Sequence, residues 1–197
     1  MNLNFYFPTP IWWDNLSFDN TNLLAYCKKL KDKDPVGREL SNFGGWQSHD
    51  LIPADNLELK KFVSKLEQSI VPCMADYGIN PTANKLVIAN LWFSINGAKD
   101  YNQVHIHGGS FLSGTYYLQV PEGSGEIVFY RNYFEEHFIT SVPAQLEEIT
   151  DINASTCRYE PRKNKFIIFP SYLQHSVLPS TEGERISLSF NIRIENV

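Results

Sequence analysis

Three histidines and one arginine are the residues of this chain whose types and spacing could do chemistry. His105 and His107 lie two apart, His175 follows much later, and Arg185 comes ten residues after that. If Asn102 to His107 runs as a strand, both early imidazoles project from one face with Gln103, and the Gly108-Gly109 turn beside them lets backbone approach closely. Two imidazoles on one face plus a third from a later strand make a donor set for a divalent metal. Arg185 opens an alternating run in which Arg185, Ser187, Ser189 and Asn191 share one face, while Ile186, Leu188, Phe190 and Ile192 take the other. A second polar face, Ser113, Thr115, Tyr117 and Gln119, is opposed by Leu112, Tyr116, Leu118 and Val120. Buried hydroxyls and an unpaired guanidinium are strongly destabilising, so two such faces lining one cavity call for a polar ligand. Arg185 alone fits an internal salt bridge equally well. With Ser187 and Tyr117 it makes a carboxylate clamp, and the whole reads as a metal site with an anchored carboxylate co-substrate.

The elements that must position these residues follow from the periodicity. Asn4 to Phe7 has the look of a short strand, and Ile11-Trp12-Trp13 is an aromatic patch suited to the edge of a core. Leu23, Leu24, Cys27 and Leu30 fall at helical spacing from Asp19 to about Lys31, with Asp19 or Thr21 as a cap. Residues 32–47 read as a loop whose GGWQSHDL segment offers Trp46 and His49 to a substrate, or else forms an aromatic plug with a surface histidine. Asp55 and Glu58 have capping-box spacing ahead of the stripe Leu59, Phe62, Val63, Leu66 and Ile70, and Pro72 should kink or end that helix. From Lys85 the near-continuous apolar run to Ile95 reads as a strand buried on both faces, and short strands separated by turns follow. Arg131 to Asn153 interrupts that pattern as a lid or a surface insertion. Two helices and then about eight strands predict a mainly β fold with flanking α: a double-stranded β-helix (jelly roll, cupin-like) backed by two N-terminal helices. Residues 1–197 form one domain on this reading, with helical support over 15–80 and the β core over 85–197.

Composition narrows the partners. A net charge of -5 and a pI near 5.5 argue against a general nucleic-acid or anionic-membrane surface. Arg158, Arg162, Lys163 and Lys165 read as a solvated hairpin end. Three widely spaced cysteines without a CxxC fit free thiols in a reducing compartment. No run reaches membrane-spanning length, and MNLNFYFPTPIWW lacks the features of a signal peptide, so the expectation is a cytoplasmic protein. Edge strands and the aromatic N-terminal arm could serve a homo-oligomer or simply cover the core.

Four segments carry a family resemblance: FPTPIW, GGWQSHDL, HIHGGSFLSGTYYLQVPEGSGEIVF and FPSYLQHSVLPSTEGERISLSFN. The chain resembles the iron(II) and 2-oxoglutarate-dependent dioxygenases, and within them a small group of oxygenases frequent in bacteria and their viruses. The resemblance implies a β-helix holding Fe(II) between a His-x-Asp/Glu pair and a distal histidine, with a later arginine gripping the far carboxylate of 2-oxoglutarate. His105 looks like the first ligand, His175 the distal one, and Arg185 the anchor, helped by Ser187 and Tyr117. The departure is His107, which stands where the superfamily usually has a carboxylate. Either three histidines hold the metal, or His107 lies outside its coordination shell and water or Glu126 completes it; three histidines is the expectation. The implied activity is hydroxylation of a substrate coupled to release of succinate and carbon dioxide, with no catalytic side chain beyond the metal and co-substrate ligands. Trp46, His49, Asn90, Trp92 and the 131–153 insertion are candidates for holding that substrate, whose identity the sequence does not give.

Two other functions use the same residues. Three imidazoles suit a zinc hydrolase or lyase, which leaves Arg185 and Ser187 without a purpose. In a non-catalytic cupin-like binding or structural module the histidines would bind nothing, and the aromatic surface around Trp12 and Trp13 would suit such a role.

Overall fold

The computed structural model describes residues 1–141 and 145–197. In chain order the strands and helices are β1 (Trp12–Asn15), α1 (Thr21–Lys33), β2 (Asn42–Phe43), β3 (Trp46–Gln47), α2 (Leu57–Ile70), α3 (Pro72–Asp76), β4 (Asn84–Asn96), β5 (Tyr101–His105), β6 (Leu112–Gln119), β7 (Ile127–Tyr130), α4 (Tyr133–Ser141), β8 (Thr156–Tyr159), β9 (Lys165–Pro170), β10 (His175–Val177) and β11 (Arg185–Asn196). They form two antiparallel sheets, one of six strands in the order β1-β9-β6-β11-β4-β3 and one of five in the order β2-β5-β10-β7-β8. This is the jelly roll expected of a double-stranded β-helix, with few helices.

The larger sheet has two unlike faces. Its outer face buries Leu91, Phe93, Tyr116, Leu118, Ile186, Leu188 and Phe190 against Leu23 and Cys27 of α1 and the Leu59, Phe62, Leu66 and Ile70 stripe of α2. Its inner face is polar and arranged in rungs by register: Ser113, Asn191 and Asn90 are partners across β6, β11 and β4, as are Thr115, Ser189 and Trp92, and then Tyr117, Ser187 and Ser94. Arg185 lies opposite Asn96 at the far end.

Strand β4 therefore is not buried alike on both sides. Between its first and second halves one residue, Ala89, is extra, since Ile192 pairs with Ile88 and Asn191 with Asn90. This bulge switches the alternation, so that Leu86 and Ile88 face the helices before it and Leu91, Phe93 and Ile95 after it. Asn90, Trp92, Ser94 and Asn96 are thereby turned inward.

Other local expectations change for similar reasons. Asn4 to Phe7 forms no strand; Phe7 has φ 57, which breaks the extended run, and the first ladder begins at Trp12, paired with Ile168. The cap of α2 is Asn56, whose side chain accepts from Leu59 N at 3.0 Å, while Asp55 belongs to the preceding turn and Glu58 pairs with Lys61 at 2.7 Å. Residues 32–47 are not wholly loop: β2 and β3 attach to β5 and β4. Lys165 is buried, 5.2 Å and 5.3 Å from the ring centroids of Trp13 and Tyr159, so it leaves the solvated hairpin end to its basic neighbours. The insertion holds α4 and is fastened at its base by Arg131, whose Nε donates to Ala154 O at 2.7 Å; residues 142–144 of it lie outside the described part. Cys27, Cys73 and Cys157 are free. Among the described residues no helix is long and apolar enough to cross a membrane.

Phe62 joins α2 to the sheet, fully buried with ring centroids 4.8 Å from Tyr116 and 5.5 Å from Phe18. Phe62→Ala should lower unfolding free energy by about 3–5 kcal/mol in urea denaturation, and a loss below about 1 kcal/mol would show that this contact does not anchor the helix.

Candidate metal centre and co-substrate cavity

A cavity of about 550 Å³ lies over the inner face of the larger sheet, and the three histidines and Arg185 all line it. The histidines meet because of strand register. His175 of β10 is the direct partner of His105 on β5, which brings their ring centroids to 4.2 Å. His107 lies just past the end of β5, where its backbone N–H donates to Ser171 O at 2.9 Å and its ring stands 5.0 Å from His175 and 5.2 Å from His105. One donor atom from each of the three lies within 4.8 Å of the others, and no other group of three or more His, Cys, Asp or Glu side chains with metal-binding spacing occurs among the described residues.

The hydrogen bonds fix which nitrogen each ring offers. His105 Nδ1 is 2.7 Å from Gln103 O, His175 Nδ1 is 2.9 Å from Leu173 O, and His107 Nδ1 is 2.6 Å from Asn191 Oδ1. Carbonyl oxygens only accept, so each Nδ1 carries the proton and each Nε2 is unprotonated, the state a metal ligand needs; the Nε2 of His105 lies 3.4 Å from Ser41 Oγ, a long contact that a metal would replace. Burial and the mutual repulsion of the rings hold them neutral: His175 is pushed down to about 3, and desolvation also lowers His105 and His107, against the opposing effect of their hydrogen bonds. Three neutral imidazoles, each with a donor nitrogen within 4.8 Å of the others, are a set that fits a divalent transition metal.

Arg185 is buried at the start of β11, where it donates from one terminal nitrogen to Gly125 O at 2.6 Å. A Cβ on Gly125 would fall 1.8 Å from Leu178 O, so only glycine allows that carbonyl its place. No carboxylate lies within ion-pair distance of Arg185 among the described residues, which leaves the salt-bridge reading without a partner. Tyr117 and Ser187, partners in register, are buried beside it on the cavity wall. Burial pushes the Tyr117 phenol up to about 12 despite the nearby guanidinium, so it stays protonated and able to donate to an anion.

The remaining candidates separate. Asn90 and Trp92 line the cavity, with the Trp92 ring 5.7 Å from His107. Trp46 and His49 do not line it. Trp46 pairs with Ile95, a residue of the helix-facing side, and its indole N–H donates to Asp34 O at 2.7 Å; His49 is largely exposed, 3.5 Å from Asp34 Oδ2. Their neighbours Gln47 and Asp50 face the cavity instead, as do Arg38 and Asn96. Gln47 could have been found by the parity of its pairing with Ser94, but only once that pairing was known. Asn191 was placed on the polar face by alternation, whereas its bond to His107 had no sequence signal. Glu126 does not line the cavity and lies 3.8 Å from Arg158, and no described residue of the 131–153 insertion lines it either.

The sequence model of the family described as "Putative 2OG-Fe(II) oxygenase" matches residues 90–191, just over half of the chain. The chain belongs to this family. The match contains His105, His107, His175, Arg185, Ser187, Tyr117, Asn90 and Trp92, and leaves Trp46 and His49 outside. The 2OG-Fe(II) oxygenases use Fe(II) and 2-oxoglutarate, with His-x-Asp and a distal histidine as the usual metal ligands, so His107 departs from the family pattern. No curated protein matches the chain in sequence. In structure it is similar to a Pseudomonas putida prolyl-4-hydroxylase, with 15% identity, TM-score 0.66, and coverage of 94% of this chain and 92% of that one. It is also similar to the viral collagen prolyl hydroxylase of Paramecium Bursaria Chlorella virus-1 in complex with 2-oxoglutarate, at 16% identity and TM-score 0.60, covering 92% and 94%. A third similar structure is HygX from Streptomyces hygroscopicus with nickel and 2-oxoglutarate bound, at 12% identity and TM-score 0.59, covering 94% and 82%. At these identities the likeness shows the fold of the oxygenases and not a shared substrate.

The depressed imidazoles make the metal-free protein acid-sensitive. An unfolded histidine titrates near about 6.5. Folded His175 does so at about 3. Between those values only the unfolded chain takes up the proton, so stability falls as pH drops through that window. In thermal melts of metal-free protein from about pH 7.5 to about pH 4.5, His175→Gln should gain on the wild type as the pH falls. A constant difference between the two would contradict the shift.

Proposed function

We propose that the protein is an Fe(II)- and 2-oxoglutarate-dependent oxygenase that hydroxylates a substrate, with His105, His107 and His175 as the metal ligands and Arg185, Ser187 and Tyr117 holding the co-substrate. The observation that carries this reading is a single cavity with three neutral imidazoles at one end and a buried guanidinium without a carboxylate partner at the other. From Arg185 to Asn191, which touches His107, is six residue steps along the strand, about 20 Å. Side chains reaching in from both ends and a five-carbon diacid between them cover that distance.

Arg185 meets the distal carboxylate as a fixed positive charge, and Tyr117 and Ser187 add hydroxyl donors from the same rung. Neutralising this buried guanidinium favours a dianionic occupant over a neutral one. Fe(II) with 2-oxoglutarate supplies the oxidation itself: dioxygen delivers one atom to a C–H bond as hydroxyl and the other to succinate, with loss of carbon dioxide. Asn90 and Trp92, on the rungs nearest His107, are the side chains placed to orient the substrate. The similarity to prolyl hydroxylases makes a peptide one substrate to try first. A zinc hydrolase would employ the histidines alone and give the buried Arg185 clamp no task.

Anaerobic addition of Fe(II) and 2-oxoglutarate should produce a weak visible charge-transfer band, and admitting air should form succinate. Arg185→Ala should weaken 2-oxoglutarate binding at least about 30-fold, from loss of about 2–5 kcal/mol at a desolvated charge pair. Tyr117→Phe should cost about 10-fold. Unchanged binding in Arg185→Ala would remove the clamp, and wild type giving neither band nor succinate would remove the oxygenase reading.

A further inference from the structure

His105 and His175 are oriented by backbone: each Nδ1–H donates to the carbonyl two residues earlier in the chain, Gln103 O and Leu173 O. His107 has no such support. It lies past the end of β5, and its Nδ1–H reaches across to a side chain, Asn191 Oδ1, at 2.6 Å. That oxygen also accepts from Ser113 Oγ at 2.7 Å, while Asn191 Nδ2 donates to Asn90 Oδ1 at 3.0 Å. Asn90 Nδ2 in turn faces Asp50 Oδ2, and a carboxylate oxygen only accepts, so the Asn90 amide and through it the Asn191 amide are turned with Oδ1 toward His107.

From this we propose that Asn191 is a positioning residue for the metal centre, acting through His107 and held in turn by Ser113 and Asn90. The inference rests on the three-histidine metal reading above. The three supporting residues form one rung of the larger sheet, Ser113 opposite Asn191 and Asn191 opposite Asn90, so strand register sets the amide before any metal arrives. The bonds run in one sense, from His107 N–H through two amides toward Asp50 Oδ2, which Asn90 Nδ2 approaches at 3.5 Å, and aligned amides polarise one another. Asp50 is half exposed and paired with Arg38 at 2.8 Å, so its part is to orient the Asn90 amide rather than to deliver charge to the ring. An amide partner fixes the tautomer of His107 while adding no negative charge. The ligand that stands in for a carboxylate thus remains a neutral imidazole, and the charge at the centre is set by an uncharged residue behind it.

The test uses the full chain and Co(II) alone, following affinity and the visible d–d spectrum, with metal-free melting midpoints as the folding control. Asn191→Leu should weaken Co(II) binding about 10–100-fold, the usual effect of removing a partner behind a ligand. Asn191→Asp, which keeps the acceptor and adds charge, should bind as tightly as wild type or tighter, with shifted d–d bands. Asn90→Ala leaves the bond to His107 in place and should lose less than Asn191→Leu. Folded Asn191→Leu binding like wild type would overturn the proposal, as would Asn191→Asp with both affinity and spectrum unchanged. If Asn191→Leu does not fold, the Asn191→Asp result decides alone. Wild type binding Co(II) no better than His107→Ala and His105→Ala would strike the metal reading itself, an outcome distinct from a wild type that binds well while the Asn191 variants match it.

Discussion

The insertion of β11 between β4 and β6 is the constraint on which the polar wall of the cavity depends, from Arg185 and Ser187 to Asn191 behind His107. Its twelve residues pair along their length with β4 and over seven positions with β6, and the register puts polar partners opposite polar partners on the inner face. A shift by one residue would turn Arg185, Ser187, Ser189 and Asn191 into the helix-packed core and Ile186, Leu188 and Phe190 into the cavity. Burial of the apolar face against α1 and α2 therefore holds the site indirectly: the helices touch no ligand, yet they decide which face can be polar. The Ala89 bulge belongs to the same logic, since without it Asn90 and Trp92 would not share a face with the polar residues of β11.

The electrostatics of the cavity follow from what is absent around it. The protein as a whole is acidic, at -5, yet three neutral rings and Arg185 mark the ends of a cavity whose lining includes one carboxylate, Asp50, already paired with Arg38. A divalent metal held by imidazoles alone, as proposed, would keep its full charge, and the two carboxylates of 2-oxoglutarate would then be the principal counter-charges at both ends. On the proposed reading, His107 in place of the usual acidic ligand would make metal and co-substrate binding more dependent on each other than a carboxylate ligand would.

Much of this could be read from the sequence because alternation on single strands is a local property. The faces of Arg185 to Asn191 and of Ser113 to Tyr117 and the α2 stripe depend on neighbours within a few residues, whereas a register shift after Tyr117 sets Gln119 opposite Ile186 and off the cavity lining, and His107 lies past the end of its strand. What could not be read depends on pairing between distant segments. That Trp46 faces the core while Gln47 faces the cavity is decided by their partners Ile95 and Ser94, and that Asn191 holds His107 is decided where a loop meets a strand 84 positions away. The bulge at Ala89 was hidden for another reason: an almost continuous apolar run such as Lys85 to Ile95 carries no signal of where its alternation changes phase. The cap at Asn56 shows the same limit at short range, since Asp55 and Asn56 are both good capping residues and only the preceding turn selects between them.

X-ray absorption at the iron edge of anaerobic Fe(II)-loaded protein tests the central claim most directly, because multiple scattering counts imidazole rings bound to the metal. The proposed ligand set predicts three, falling to two in His107→Ala. Two rings in the wild type, with no change on removing His107, would contradict the assignment of His107 as a ligand and with it the charge argument built on a neutral donor set.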